Sequence, residues 1–192
     1  MQTLVRCNWC EKDDLYRNYH DYEWGIPSFD DLHLFEHLIL ETFQAGLSWY
    51  TILAKRENFR AAFDNFNAHL ISGYSEEKVD ELLQNSGIIR SKAKIYAAIN
   101  NAQHYLECVK EFGTFSKYIW QFTEYSTINN NWKSMREIPV TTPQSDAMSK
   151  DLKKRGFKFI GSTTCYAYMQ AVGMVNDHIQ ACWLFNKQGE GA

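Results

Sequence analysis

Proline is scarce in these 192 residues, occurring only at Pro27, Pro139 and Pro143, so the interval between the first two is free of that helix breaker. Long apolar runs are missing too. The longest weakly charged stretch, Leu38 to Ala54, carries Glu41, Gln44, Gly46 and Ser48 and is too short and too polar to span a bilayer. Met1 to Cys7 holds neither an apolar core nor a small-residue cleavage site, so no signal peptide is read and a soluble cytoplasmic protein is expected. Positive charge is not in excess: the net −3 argues against non-specific coating of nucleic acid. Cysteines are few and odd in number (Cys7, Cys10, Cys108, Cys165 and Cys182), which disfavours a disulfide framework and leaves free thiols or metal ligands.

What is present suits one compact domain over 1–192, or one globule with two lobes sharing a cleft: 45% of the residues are hydrophobic and only 22% charged. Strict apolar alternation is rare and helical spacing recurs. A helix opens at Asp30 or Asp31 and runs toward Ala45, with Gly46 ending it; another follows through Thr51 to Phe63. Ser75 to Gly87, Ser91 to Gly113 and a short aromatic piece from Phe115 to Phe122 come next. Glu124 to Pro143 is polar and reads as a surface loop or linker. Ser145 caps a helix that stops at Gly156, Ser162 or Thr163 caps another that reaches Gly173, and Asn176-Asp177 starts a last short helix through Cys182. The pattern is all-α with short connections, without internal repeats, and without a low-complexity tail beyond Gly189 to Ala192.

Four groups of residues could carry chemistry. His178 and Cys182, four apart on a helix, share one face and make half of a tetrahedral metal site; Cys7 and His20 could complete a Cys2His2 set, with Cys10 as a competing ligand. Such a set suits zinc and leaves no open position, so the metal would be structural; the alternative is that these are unrelated core residues. Glu41 is the lone charge between Leu38 and Ala54, either a buried site carboxylate or a surface partner for a nearby cation. Aromatics crowd the same region (Trp9, Tyr16, Tyr19, Tyr22, Trp24, Trp49 and Tyr50), as walls for a flat cationic ring or as plain core. Lys150, Lys153, Lys154, Arg155 and Lys158 against Asp146 and Asp151 give a local +3 around a glycine hairpin that precedes a helix start, suited to phosphate or to mere solvation.

Several segments together are specific: Cys7-Asn8-Trp9, Tyr19-His20-Asp21-Tyr22-Glu23-Trp24-Gly25 and Glu41-Thr42-Phe43-Gln44-Ala45-Gly46-Leu47-Ser48-Trp49. They are followed by Gly87-Ile88-Ile89-Arg90, Ser145-Asp146-Ala147, Leu152-Lys153-Lys154-Arg155-Gly156-Phe157-Lys158-Phe159, Met169-Gln170-Ala171 and Val175-Asn176-Asp177-His178. From Cys7 to Cys182 the chain resembles the bacterial DNA-3-methyladenine glycosylase I family of the helix-hairpin-helix DNA glycosylase superfamily. The resemblance implies two helical lobes around a DNA-binding cleft, with a helix-hairpin-helix at about 145–173. It implies one structural zinc ion held by Cys7, His20, His178 and Cys182, tying the N-terminal arm to the C-terminal helix.

It further implies that Glu41 and Tyr19 contact the excised base and that Trp49 stacks on it, with Trp9 and Trp24 around the pocket. Lys153, Lys154, Arg155, Gly161, Ser162 and Thr163 are the expected phosphate contacts, and Leu47 the plug for the emptied base stack. Asp177 lies near the catalytic aspartate of the wider superfamily but precedes a zinc ligand, and this family does not use an aspartate there. No lysine is indicated as a Schiff-base nucleophile. A monomeric, monofunctional enzyme is expected, releasing free 3-methyladenine from double-stranded DNA. The competing readings are a zinc-stapled binding module without catalysis and a metal-dependent hydrolase; the latter needs an open coordination position.

Overall fold

The computed structural model describes residues 4 to 186; Met1 to Thr3 and the tail that includes Gly189 to Ala192 lie outside the described residues. Ten α-helices are described: α1 (Asp14–Tyr22), α2 (Asp31–Gln44), α3 (Trp49–Leu53), α4 (Arg56–Ala62), α5 (Ala68–Ile71), α6 (Glu76–Gln84), α7 (Lys92–Phe112), α8 (Phe115–Trp120), α9 (Pro143–Lys154) and α10 (Ser162–Ala171). Two short strands, β1 (Ile128–Asn129) and β2 (Val175–Asn176), pair in parallel, so the fold is mostly helical rather than all-α.

Helix α2 organises the rest. Every residue from Leu34 to Phe43 is buried, and the helix packs on α3, α7, α8 and α10. Asp30 starts it by accepting the backbone N–H of His33, and Ala45 ends it just before Gly46, whose φ of +81° turns the chain toward α3. Two hydrophobic clusters result. The larger surrounds α2, α7, α8, α9 and α10, and the smaller joins Cys7, Tyr19, Trp24, Leu53, Ile179, Cys182 and Leu184; Trp49 packs against both.

Several expected boundaries move. The stretch from Thr51 to Phe63 splits into α3 and α4, with Ala54 and Lys55 between them. Helix α6 ends at Asn85, whose side chain accepts the Gly87 N–H; Gly87 is not the cap. Thr142, not Ser145, caps α9: Ser145 sits at the third helical position and closes a reciprocal capping box with Thr142. Gly161, not Ser162 or Thr163, is the N-cap of α10.

No helix runs from Asn176 to Cys182. That segment leaves β2 as extended chain and turn, shaped by the Asn176 side chain accepting the His178 N–H and by the Cys182 N–H reaching the Ile179 carbonyl. The polar 124–143 segment is not a free linker: β1 pairs with β2, and Asn130 and Trp132 reach into the interior. Gly173 is required where it stands. At φ +75° a Cβ there would lie 2.3 Å from the Ile26–Pro27 backbone, which crosses the end of α10 and bonds to it through Gly25 and Ser28.

Candidate active site and metal-ligand cluster

Between the two hydrophobic clusters lies a cleft of about 280 Å³ lined by Trp9, Tyr16, Tyr19, Trp24, Glu41, Gln44, Trp49, Met135, Ala167 and Gln170. Its walls are rings at angles to one another. Trp9 meets Tyr16 at 4.8 Å and Trp24 at 5.1 Å, and Tyr19 faces Trp49 at 5.4 Å. Half of the lining residues come from α1, α2 and the first turn of α3, which Ser48 caps by accepting the Thr51 N–H.

Glu41 is 3% exposed, and its Oε2 finds no hydrogen-bond partner among the described residues. Desolvation alone pushes its carboxyl up to about 8. The indole N–H of Trp49 is likewise buried and unpaired. A donor and a carboxyl held without partners in one aromatic cleft are groups waiting for a polar, flat ligand.

Five residues earlier on the same helix, Glu36 behaves in the opposite way. Burial raises it, but Arg56 and Arg60 outweigh burial and hold it below the usual carboxylate range. A larger cavity of about 620 Å³ opens on that side of α1, walled by Tyr22, Glu23, His33, Arg56 and Arg60 among others. Its central carboxylate is already occupied: Glu23 accepts from His33 at 3.2 Å, His37 at 2.8 Å and Arg56 at 2.7 Å. Burial opposes these bonds without preventing a strong downward shift of Glu23, so the group is satisfied.

The second feature is a cluster of Cys7, His20, His178 and Cys182, all buried, with ligand atoms within 4.8 Å of one another. Cys182 Sγ lies 3.5 Å from His20 Nε2 and 3.5 Å from His178 Nδ1, and Cys7 Sγ lies 3.8 Å from His178 Nδ1. A tetrahedral ion with sulfur at about 2.3 Å and nitrogen at about 2.0 Å would set such pairs roughly 3.5 Å apart. The far nitrogens are also engaged: His20 Nδ1 meets Asp21 at 2.8 Å, and His178 Nε2 meets the Trp24 carbonyl at 3.3 Å. Both the donor set and the spacing fit a metal ion. Cys10 is outside the set, its thiol donating to the Cys7 carbonyl.

The other expected residues fall as follows. Leu47 is exposed on the turn after α2, which Lys94 pins by donating to the carbonyls of Phe43 at 2.8 Å and Ala45 at 2.6 Å. Lys153 and Lys154 are exposed at the end of α9. Arg155 is committed to Glu111 and Asp151 and lies over the rings of Phe112 and Tyr118. The Ser162 hydroxyl donates to Asp146 and meets Ser145, so the first N–H groups of α10 carry no side-chain cap.

Asp177 is fully buried and takes four donors: Asn130 at 2.8 Å and Trp132, Tyr166 and Gln170 at 2.7 Å each. Sequence pattern does not mark Met135, Gln44, Ala167 or Gln170 as pocket residues. Gln44 and Gln170 lie within family-like segments, whereas Met135 has no local signal, because a long connection brings it to the cleft.

Residues 9–186 match a family model described as methyladenine glycosylase. The chain is 48% identical over 179 residues to DNA-3-methyladenine glycosylase 1 of Escherichia coli (strain K12), covering 93% of this chain and 96% of that one. A crystal structure of 3-methyladenine DNA glycosylase I superposes with a TM-score of 0.91 at 49% identity, covering 93% of this chain and 98% of the other. A structure of 3-methyladenine DNA glycosylase I from Staphylococcus aureus, described as the structural basis of 3-methyladenine recognition, matches with a TM-score of 0.90 at 34% identity, covering 93% and 95%.

The raised carboxyl has a consequence for stability. Glu41 titrates near 8 in the folded chain and near 4.5 unfolded, so the folded state binds more protons between those values. Stability is greatest below the lower value and declines as pH rises through the upper one. Glu41→Gln removes that slope, so the variant should gain on the wild type by about 2–4 kcal/mol between pH 5 and pH 8.5. Urea midpoints at the two pH values measure it. Parallel curves for the two proteins would show that Glu41 is not the buried acid described.

Proposed function

The chain belongs to the methyladenine glycosylase family, and on that premise we propose how its residues divide the work. It is a DNA-3-methyladenine glycosylase of base-excision repair, hydrolysing the N-glycosidic bond of 3-methyladenine in alkylated DNA and leaving an abasic site. We read the whole chain, 1–192, as one glycosylase domain, acting as a cytoplasmic monomer on double-stranded DNA. Among the described residues, no helix is long and apolar enough to cross a membrane.

One observation carries the residue assignment: the buried, unpartnered carboxyl of Glu41 in an aromatic cleft. Methylation at N3 puts positive charge on adenine and weakens its bond to deoxyribose, so a strong general acid is unnecessary. The task left to the protein is extracting the base and recognising it. Glu41 attracts the charge and accepts from the base edge. Trp49 stacks on the base, Tyr19 contacts it, and Trp9 and Trp24 close the walls, since a π face prefers a cation to neutral adenine. Leu47 fills the emptied stack. Asp177 has four donors and is not available as a base. Hydrolysis without strand cleavage is the expected outcome.

Incubation with methylated DNA and chromatography of the released bases tests this directly. Glu41→Gln should bind undamaged DNA normally but lose about 10- to 100-fold in affinity for free 3-methyladenine, the worth of one charge-assisted hydrogen bond, and lose excision. Wild-type rates and affinity in that variant would end the assignment.

The metal cluster is read as a structural zinc site. Two thiolates and two imidazoles favour zinc, and four protein ligands leave no reactive position. When bound, the ion would supply cross-linking rather than chemistry. Cys7 and His20 would hold the N-terminal arm, already joined to Trp183 through Val5, against the segment carrying His178 and Cys182. Protein purified without chelators should contain one zinc per chain, and Cys182→Ala should lose the metal and melt at lower temperature. Metal analysis finding no zinc in the wild type would remove this reading.

Helices α9 and α10 with the 155–161 turn are read as a helix-hairpin-helix. The uncapped N–H groups after Gly161 at Ser162 and Thr163, with Lys153 and Lys154, would hold backbone phosphate without reading bases. Because Arg155 is tied to Glu111 and Asp151, its share in that contact is small. Neutralising Lys153 and Lys154 should weaken binding to all sequences alike and flatten the salt dependence by about one unit per lost contact. An unchanged slope in the double variant would make this a solvated face.

A further inference from the structure

Gln170 lies at the end of α10 with its backbone carbonyl taken by the Gly25 N–H at 2.9 Å, and its side chain lines the base cleft. One end of its amide is also committed. Asp177 beside it is surrounded by donors: the Trp132 indole and Asn130 amide meet Oδ1, and the Tyr166 hydroxyl meets Oδ2. An indole N–H can only donate, so this carboxylate is an acceptor, and the Gln170 group 2.7 Å from its Oδ2 must be the NH2. The amide cannot rotate to exchange its ends without setting oxygen against oxygen. Its Oε1 is therefore the free end, and no donor among the described residues meets it.

We propose that Gln170 is a specificity-determining residue: its Oε1, oriented by Asp177 through the amide, accepts a hydrogen bond from the exocyclic amino group of the excised base. The inference rests on the reading of the cleft as the base pocket. It gives Asp177 a positioning role in place of a catalytic one. A purine bearing a 6-oxo group would set its carbonyl against Oε1 and be rejected, because a fixed acceptor cannot become a donor. Glu41 selects for charge, and Gln170 selects for the amino group.

The test compares binding of free 3-methyladenine and its 6-oxo analogue 3-methylhypoxanthine by calorimetry, in the wild type and in Gln170→Met. The wild type should prefer the amino base by about tenfold or more. Gln170→Met should bring that ratio toward one, with metal content unchanged and a lowered melting temperature, because Asp177 loses one donor. Gln170→Ala, read in the same way, replaces the Met variant if that protein does not fold. Equal binding of the two bases by the wild type, or an unchanged ratio in a folded variant, overturns the proposal. Failure of the wild type to bind 3-methyladenine at all would instead sink the pocket reading, and this inference with it.

Discussion

Burying a carboxyl group with no hydrogen-bond partner costs free energy that few helices tolerate, and α2 does so at Glu41. The arrangement of the fold follows from that constraint. The helix is sunk in the larger hydrophobic cluster from Leu34 to Phe43, so apolar burial along its length offsets the local penalty. Glu36, on the same helix, is neutralised by Arg56 and Arg60, while Glu41 shares its cleft with rings, Met135, Ala167 and the uncharged amides Gln44 and Gln170. Two acids on one helix thus end with opposite proton affinities.

The metal-ligand cluster sits against that pocket. Trp9 is two residues from Cys7, and Trp24 stacks on the His20 ring at 6.1 Å and meets the His178 ring edge-on at 4.7 Å. The packing of these four Cys and His side chains therefore also fixes two of the pocket's walls. Asp177, next to His178, fixes a third side through Gln170 and holds Trp132, three residues from Met135. Described segments near residues 5–24 and 177–183, far apart in sequence, thus meet beside the cleft.

The parts of this arrangement legible in the sequence are those written locally. Ser75 and the glutamates after it open α6, and Gly113 with φ +86° closes α7, because caps and left-handed stops depend on one or two residues. Glu41 stood out as a lone charge in an apolar run, and the paired Cys and His positions stood out by spacing. The spacing misled on secondary structure. His178 and Cys182, four apart, suggested a helix, yet turns can present two ligands equally well, and the Asn176 side chain imposes one. The polar 124–143 segment looked like surface because its polar residues find their partners more than forty positions away, at Asp177. Thr142 and Ser145 both have capping chemistry, and only the fold decides which of them occupies the cap.

On the proposed reading of the cleft, the raised proton affinity of Glu41 would let a pocket without a strong acid separate damaged from undamaged base. At pH 7 a group that titrates near 8 is mostly neutral, and ionising it costs roughly 1.4 kcal/mol. Neutral adenine offers nothing to offset that cost. A base carrying a full positive charge about 4 Å away offers a Coulomb attraction of roughly 4 kcal/mol at an effective dielectric constant near 20. In that reading the cationic base, while still bonded to its sugar, would draw the proton off Glu41 and be held as an ion pair, whereas the ordinary base would meet an uncharged carboxyl. Selection of this kind needs the carboxyl to be buried and unpaired. An arginine beside it, as at Glu36, would hold the charge permanently and leave the pocket nothing with which to distinguish the two bases.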